Sequence, residues 1–124
     1  MRQAMLTVLL ALGLGGPAGA EDWALRPGDE VIAGADLAAW LDGRVARFHD
    51  GGRSVYGPGT AYAYVYRSGE RAEGEFRIEA PDRVCVAFRN GWSRCDKYVR
   101  RGGRILLLDQ QGNRFPLSAE AGGG

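Results

Sequence analysis

The stretch VCVAFRNGWSRC, residues 84–95, gives the clearest indication of the fold in this chain of 124 residues. Residues 84–88 have the composition of a β-strand, and residues 92–99 are expected to form a second strand. The three residues between them end in Gly91, where a three-residue hairpin loop needs a left-handed backbone. The sequence therefore predicts an antiparallel hairpin at this place.

The chain has two cysteines, one on each strand of this hairpin. Pairing Phe88 with Trp92 puts Cys85 directly opposite Cys95, and opposed residues at a non-hydrogen-bonded site have Cα atoms about 4.5 Å apart. That distance suits a disulfide, so we expect a structural Cys85–Cys95 bridge. A redox-active pair is the alternative, although such pairs usually have the spacing Cys-x-x-Cys at the start of a helix.

Short strands recur on both sides of the hairpin and are separated by turns rich in Gly, Pro, Asp and Asn. Breaks at intervals of roughly eight to ten residues indicate an antiparallel meander. The expected fold is therefore mainly β, with about 7–8 short strands in a small barrel or curved sheet. The expected strands cover residues 45–48, 53–56, 61–66, 71–78, 84–88, 92–99, 104–108 and 114–117.

One short helix is expected before the strands. Leu37, Trp40 and Leu41 recur at helical spacing, and Gly43 suits the C-terminal cap. This helix, residues 35–42, opens a single β domain of residues 34–117. We expect a flexible leader over residues 21–33 and a disordered tail over residues 118–124.

The first twenty residues have the pattern of a secretory signal peptide. Arg2 precedes an apolar run over residues 5–14, and Ala18 and Ala20 stand at the small-residue positions before a cleavage site. Cleavage between Ala20 and Glu21 gives a periplasmic or secreted protein. No second apolar segment of spanning length follows, so no membrane span is expected in the mature chain.

The charge balance does not favour a nucleic acid as partner. The chain has 16 Lys and Arg residues and 15 Asp and Glu residues. Removal of the signal peptide takes away one basic residue, Arg2, and leaves a net charge near zero. Such a balance gives no attraction to a polyanion.

The sequence has no recognisable catalytic or metal-binding signature. His49 is the sole histidine and has no ligand at metal-binding spacing. Glu73 and Glu75 share one face of an expected strand, as a carboxylate pair does, but ordinary solvated charges are the favoured interpretation. We predict no catalytic residue, no metal and no cofactor. An enzyme of unrecognised type that uses Glu73, Glu75 or His49 is the alternative.

A row of tyrosines is the best candidate for a functional feature, because alternate residues of a strand share a face. The candidate binding surface consists of Tyr62, Tyr64, Tyr66, Trp92 and Tyr98, joined by Tyr56. Tyrosine offers broad apolar contact and a hydroxyl, although strand propensity alone also explains such a row. We expect a non-enzymatic periplasmic binding or interaction module for an envelope protein or a small apolar ligand. A structural, envelope-associated role is a further alternative.

Several short motifs resemble those of a known group of proteins. The motifs are Leu41-Asp42-Gly43, Gly74-Glu75-Phe76-Arg77-Ile78, Cys85-Val86-Ala87-Phe88, Cys95 and Gly112. Over about residues 36–117 the chain resembles small exported proteins of unknown function from alphaproteobacteria. Members usually carry tryptophan where Phe76 stands here. The resemblance implies the β fold, the disulfide and export, and it implies no activity.

Overall fold

The computed structural model describes residues 22–118. The predicted signal peptide, residues 1–20, lies outside the described residues, as do residues 119–124 of the predicted tail. Over the described range the chain is mainly β with one short helix, as the turn spacing predicts. No helix within residues 22–118 is both long and apolar enough to cross a membrane.

The strands follow one another as antiparallel neighbours. The elements, in chain order, are β1 (Glu30–Val31), α1 (Gly34–Leu41), β2 (Val45–Arg47), β3 (Arg53–Tyr56), β4 (Ala61–Val65), β5 (Arg71–Glu79), β6 (Arg83–Phe88), β7 (Ser93–Arg101), β8 (Arg104–Asp109) and β9 (Arg114–Pro116). β2 to β9 lie side by side in sequence order, and β1 pairs with β7. The predicted meander is therefore confirmed, with β1 as an unpredicted addition.

The hairpin of β6 and β7 has the predicted register. Cys85 lies opposite Cys95, and their Cα atoms are 4.0 Å apart across the disulfide. The backbone N–H of Phe88 donates to the carbonyl oxygen of Trp92 at 2.8 Å. Gly91 has a φ of 95°, the left-handed conformation that the three-residue loop requires. The predicted bridge is confirmed.

The sheet curls like a half-barrel, and the chain just after β2 meets the chain just after β9. Phe48, directly after β2, forms an antiparallel bridge with Leu117, directly after β9. The backbone N–H of Ser118 donates to the carbonyl oxygen of Arg47 at 2.9 Å. These contacts join the two edges of the sheet next to Phe48 and Leu117. Backbone groups that would be unpaired at a free sheet edge are hydrogen-bonded there.

The main hydrophobic core lies on the concave face, and α1 covers one end of it. Leu37 and Leu41 of the helix are buried in this core. The ring of Trp40 packs on Tyr98, with 4.6 Å between the ring centroids. Burying a leucine side chain of this kind contributes about 1.5–3 kcal/mol to stability. The helix therefore closes one end of the curled sheet.

Residues 22–33 differ from the flexible leader that we predicted. β1 pairs with the C-terminal part of β7, and Ile32 is fully buried in the main core. On the convex face, Trp23 and Val31 pack against a buried cluster that includes Leu106 and Leu108. β8 is apolar on both faces, so its outward side chains need a cover, and this segment supplies it.

Asp29 fixes the segment to the far end of the chain. Its Oδ2 accepts a hydrogen bond from Nη1 of Arg114 at 2.8 Å, and its Oδ1 accepts one from Nη2 at 3.0 Å. Arg101 Nη1 lies 3.1 Å from the same Oδ1. The side chain of Asp29 is 1% exposed. The hydrogen bonds from Arg114 hold the pKa of Asp29 well below its usual range, so the carboxylate is charged and firmly bound.

Candidate functional site

The end of the concave face away from α1 is open and contains a cavity of about 920 Å³. No residue of α1 is among those that line it. Polar side chains line part of it, and six aromatic side chains line it as well: Phe48, Tyr64, Tyr66, Phe88, Trp92 and Phe115. Small-molecule sites in proteins commonly have volumes of about 300–1,000 Å³ and mainly apolar or aromatic walls. The cavity is therefore the candidate functional site.

The tyrosine row on β4 runs from the core to the mouth of this cavity. Tyr62 is buried, Tyr64 is half-buried, and Tyr66, directly after the strand, is 49% exposed. Tyr64 and Tyr66 line the cavity with Trp92, which is 74% exposed at the rim. Tyr62 and Tyr98 are not in the wall and belong to the core. The structure thus brings three of the five predicted surface residues to one cavity.

The buried tyrosines bond to one another and to one serine. The hydroxyls of Tyr56 and Tyr98 are 2.5 Å apart, and the hydroxyl of Tyr62 is 2.8 Å from Oγ of Ser54. Burial raises the pKa of all three tyrosines above the usual value. Their hydroxyls therefore keep their protons at neutral pH and form a fixed polar layer inside the core.

A charged pair that we did not predict lies at the floor of the cavity. Arg94 and Asp96 line the cavity and lie two residues apart on β7, so their side chains share a face with Tyr98. Nε of Arg94 donates to Oδ2 of Asp96 at 3.1 Å. Nη2 of Arg94 donates to the hydroxyl of Tyr62 at 3.1 Å. Hydrogen bonds from two of its three nitrogens thereby hold the guanidinium in place.

Asp96 is the most deeply buried charged group of the site, with a side chain 1% exposed. Burial raises the pKa of Asp96, because desolvation outweighs the attraction of Arg94. Its Oδ1 has no hydrogen-bond partner among the described residues. A buried carboxylate oxygen without a partner is costly, and such groups are concentrated at functional positions.

Arg94 is one of the polar side chains that line the cavity. Its side chain is 37% exposed, and its Nη1 makes no hydrogen bond within residues 22–118. The guanidinium carbon lies 5.7 Å from the ring centroid of Phe88 and 5.9 Å from that of Tyr64. Aromatic faces attract a guanidinium at such distances. The floor therefore presents hydrogen-bond donors between two aromatic rings.

Two further carboxylates, Asp50 and Asp109, line the cavity. Oδ1 of Asp50 accepts the backbone N–H of Gly52 at 2.8 Å. Oδ1 of Asp109 accepts the backbone N–H of Asn113, and its Oδ2 accepts Nδ2 of the same residue, both at 2.9 Å. Both carboxylates therefore stabilise the turns in which they lie. With Asp96, they outnumber Arg94 among the charged groups that line the cavity.

The residues of the alternative enzyme hypothesis do not come together. Glu73 lies on the convex face of β5, where it pairs with Arg89 at 2.8 Å and Arg71 at 3.1 Å. Glu75 is exposed on the same face, and His49 is exposed at the mouth of the cavity. Glu73 and Glu75 thus face away from the concave side, whereas His49 lines the cavity.

One group of potential metal ligands occurs in the described part of the chain. It consists of Glu79, Cys85 and Cys95. Both sulfur atoms are joined in the disulfide. A metal-binding cysteine needs a free thiolate, so this group is not suited to hold an ion.

No family model matches the chain, and comparisons with curated proteins and with solved structures give no match. The geometry of the cavity is accordingly the basis of what we propose below.

Proposed function

We propose that the protein is an exported, non-enzymatic binding protein that holds a small, largely apolar molecule in the cavity at the open end of the curled sheet. One observation carries this proposal: six aromatic side chains are among the residues that line a cavity of about 920 Å³, which also contains the Arg94–Asp96 pair. Aromatic walls with a few polar groups are typical of small-molecule sites.

The shape of the site favours a small molecule over a protein partner. The polar pair of Arg94 and Asp96 lies at the floor, and Asp96 is almost fully buried. A broad protein surface would contact the rim, where Trp92 and Phe115 are exposed, and would leave the floor unfilled. A molecule inside the cavity contacts both the aromatic wall and the guanidinium, and it removes apolar surface from water.

The exported location is supported by the signal-peptide pattern of residues 1–20. The Cys85–Cys95 bridge is in keeping with it, because structural disulfides persist mainly in oxidising compartments. The test is the intact mass of the protein recovered from a periplasmic fraction. A mature chain that starts at Glu21 supports the proposal, and a cytosolic chain that keeps its first twenty residues contradicts it.

Ligand binding in the cavity can be measured with N-phenyl-1-naphthylamine, an uncharged dye whose emission rises in apolar surroundings. We expect saturable binding to the wild-type protein with a dissociation constant on the order of 10–100 µM. Ala72→Trp should abolish it, because Ala72 lines the cavity and a tryptophan there would fill it. Ala87→Trp is the matched control, because Ala87 is exposed on the convex face.

Circular dichroism and thermal melting should show that each variant is folded. If Ala72→Trp does not fold, Ala72→Phe blocks less of the cavity and should still weaken dye binding. Dye binding that is unsaturable, or that is equally strong in the Ala72 and Ala87 variants, would contradict the proposed site.

A further inference from the structure

The floor of the cavity offers hydrogen-bond donors to a ligand. Nη1 of Arg94 has no partner within the described residues, and the Arg94 side chain is 37% exposed. The unpartnered Oδ1 of Asp96 lies on a side chain that is 1% exposed, out of contact with solvent. A ligand therefore meets the guanidinium rather than the carboxylate. A guanidinium only donates hydrogen bonds, so the ligand's polar end must accept them, which an ammonium group cannot do.

The charges around the cavity oppose a negatively charged ligand as well. Asp96 already binds Nε of Arg94 at 3.1 Å and balances its charge. Asp50 and Asp109 also line the cavity, and Asp109 lies opposite Asp96 on the neighbouring strand. A carboxylate ligand would have to approach three carboxylates to reach one guanidinium. An uncharged acceptor gains the hydrogen bond and avoids this repulsion.

The walls next to Arg94 favour a flat, apolar body. The rings of Phe88 and Tyr64 lie 5.7 and 5.9 Å from the guanidinium carbon. Aromatic groups pack favourably on such rings in offset or edge-to-face arrangements. A ring system that packs on these rings brings its polar end close to Arg94.

From these three observations we infer that the cavity binds uncharged, flat, apolar molecules that end in a carbonyl group, and that Arg94 binds this carbonyl. The inference rests on the proposed function and names the chemical class of its ligand. Asp96 acts as a positioning residue, since it holds Nε while Tyr62 holds Nη2 at 3.1 Å. A guanidinium fixed in advance loses little conformational entropy when the ligand binds.

Four probes that share a naphthalene ring test this inference: 2-naphthamide, 2-naphthoate, 2-naphthylmethylamine and 2-methylnaphthalene. Each is measured by displacement of N-phenyl-1-naphthylamine and by calorimetry. We expect 2-naphthamide to bind about tenfold more tightly than 2-methylnaphthalene, which corresponds to one net hydrogen bond to a charged donor. The naphthoate and the amine should both bind more weakly than the amide.

Arg94→Met removes the donors and keeps an apolar side chain of similar length. It should bring the affinity for 2-naphthamide down to that for 2-methylnaphthalene, because the hydrogen bond to the carbonyl is lost. Arg77→Met on the convex face is the control, because Arg77 is exposed. If Arg94→Met fails to fold, Arg94→Met/Asp96→Leu replaces both partners by apolar groups, a change that is often neutral for stability.

Asp96→Asn tests the positioning role without removing Arg94. Loss of the negative charge should raise the affinity for 2-naphthoate relative to 2-naphthamide by about threefold or more. A purely structural role would lower both affinities in proportion and leave their ratio unchanged.

The outcomes separate this inference from the proposed function. Tightest binding of 2-naphthoate or of 2-naphthylmethylamine, or equal binding of all four probes, would overturn the inference while dye binding in the cavity still stands. Failure of every probe and of the dye to bind would overturn the proposed function as well.

Discussion

Asp29 and Arg114 form a buried, bidentate ion pair, although they lie 85 residues apart in the sequence. The two oxygen–nitrogen distances are 2.8 and 3.0 Å, and the side chains are 1% and 8% exposed. This pair joins the segment before β1 to the first residue of β9. The N-terminal segment is thereby held against β8, whose outward leucines it covers.

Asp29→Asn should lower the free energy of unfolding by about 3 kcal/mol, because it leaves the guanidinium of Arg114 buried without a carboxylate. Urea denaturation at pH 7 measures the change. Glu75→Gln is the control, because Glu75 is exposed on the convex face, and it should change stability by less than about 0.5 kcal/mol. Equal losses for the two variants would show that the ion pair does not hold the segment.

The stability contributed by Asp29 should depend on pH. Its pKa in the folded protein lies well below the ordinary value of 3.8, because the hydrogen bonds from Arg114 favour the charged form. The contribution is therefore complete above about pH 5 and is lost as the pH falls below about 4. The stability difference between wild type and Asp29→Asn should shrink between pH 5 and pH 2.5. A difference that stays constant over this range would contradict this assignment.

Removing the disulfide should lower the free energy of unfolding by about 2–3 kcal/mol, the value expected for a loop of this length. The bridge joins residues ten apart in sequence. The variant that removes it is Cys85→Ala/Cys95→Ala. A reducing agent should destabilise the wild type by a similar amount and leave the variant unaffected. Insensitivity of the wild-type melting temperature to reduction would count against a structural bridge.

Gly74→Ala should destabilise the fold by about 1–3 kcal/mol, a typical penalty for overfilling a packed site. Gly74 pairs with Tyr62 on one side and with Phe88 on the other, and the two rings meet with centroids 5.8 Å apart. A Cβ at this position would collide with the carbonyl oxygen of Ala87. Glu75→Ala on the same strand is the control, and an unchanged melting temperature for Gly74→Ala would contradict the close packing.

The meander could be predicted from the sequence because its pairings are local. Each strand pairs with the next one along the chain, so the turn between them sets the register, as Gly91 does for β6 and β7. The place of residues 22–33 could not be predicted in this way. The β1–β7 pairing and the Asp29–Arg114 pair join residues far apart, and a short mixed segment has no periodicity that indicates a strand.

The candidate site could be predicted in part. Strand alternation put Tyr62, Tyr64 and Tyr66 on one face, but it could not show that α1 closes the end where Tyr98 packs. Burial decreases from Tyr62 to Tyr66 because α1 covers the end of the sheet nearer to Tyr62. Arg94 and Asp96 resembled solvated charges, although their shared face with Tyr98 was a signal that they point inward.

The binding site is tested most directly by heteronuclear NMR of the ¹⁵N-labelled protein during a titration with 2-naphthamide. We expect the largest shift changes at the amides of Tyr64 and Phe88 and at the side-chain Nε–H of Arg94, which all lie at the cavity. The amides of Cys85 and Glu73 on the convex face should change little. Changes confined to the convex face, or no changes at saturating probe, would contradict a ligand site at the open end of the curled sheet.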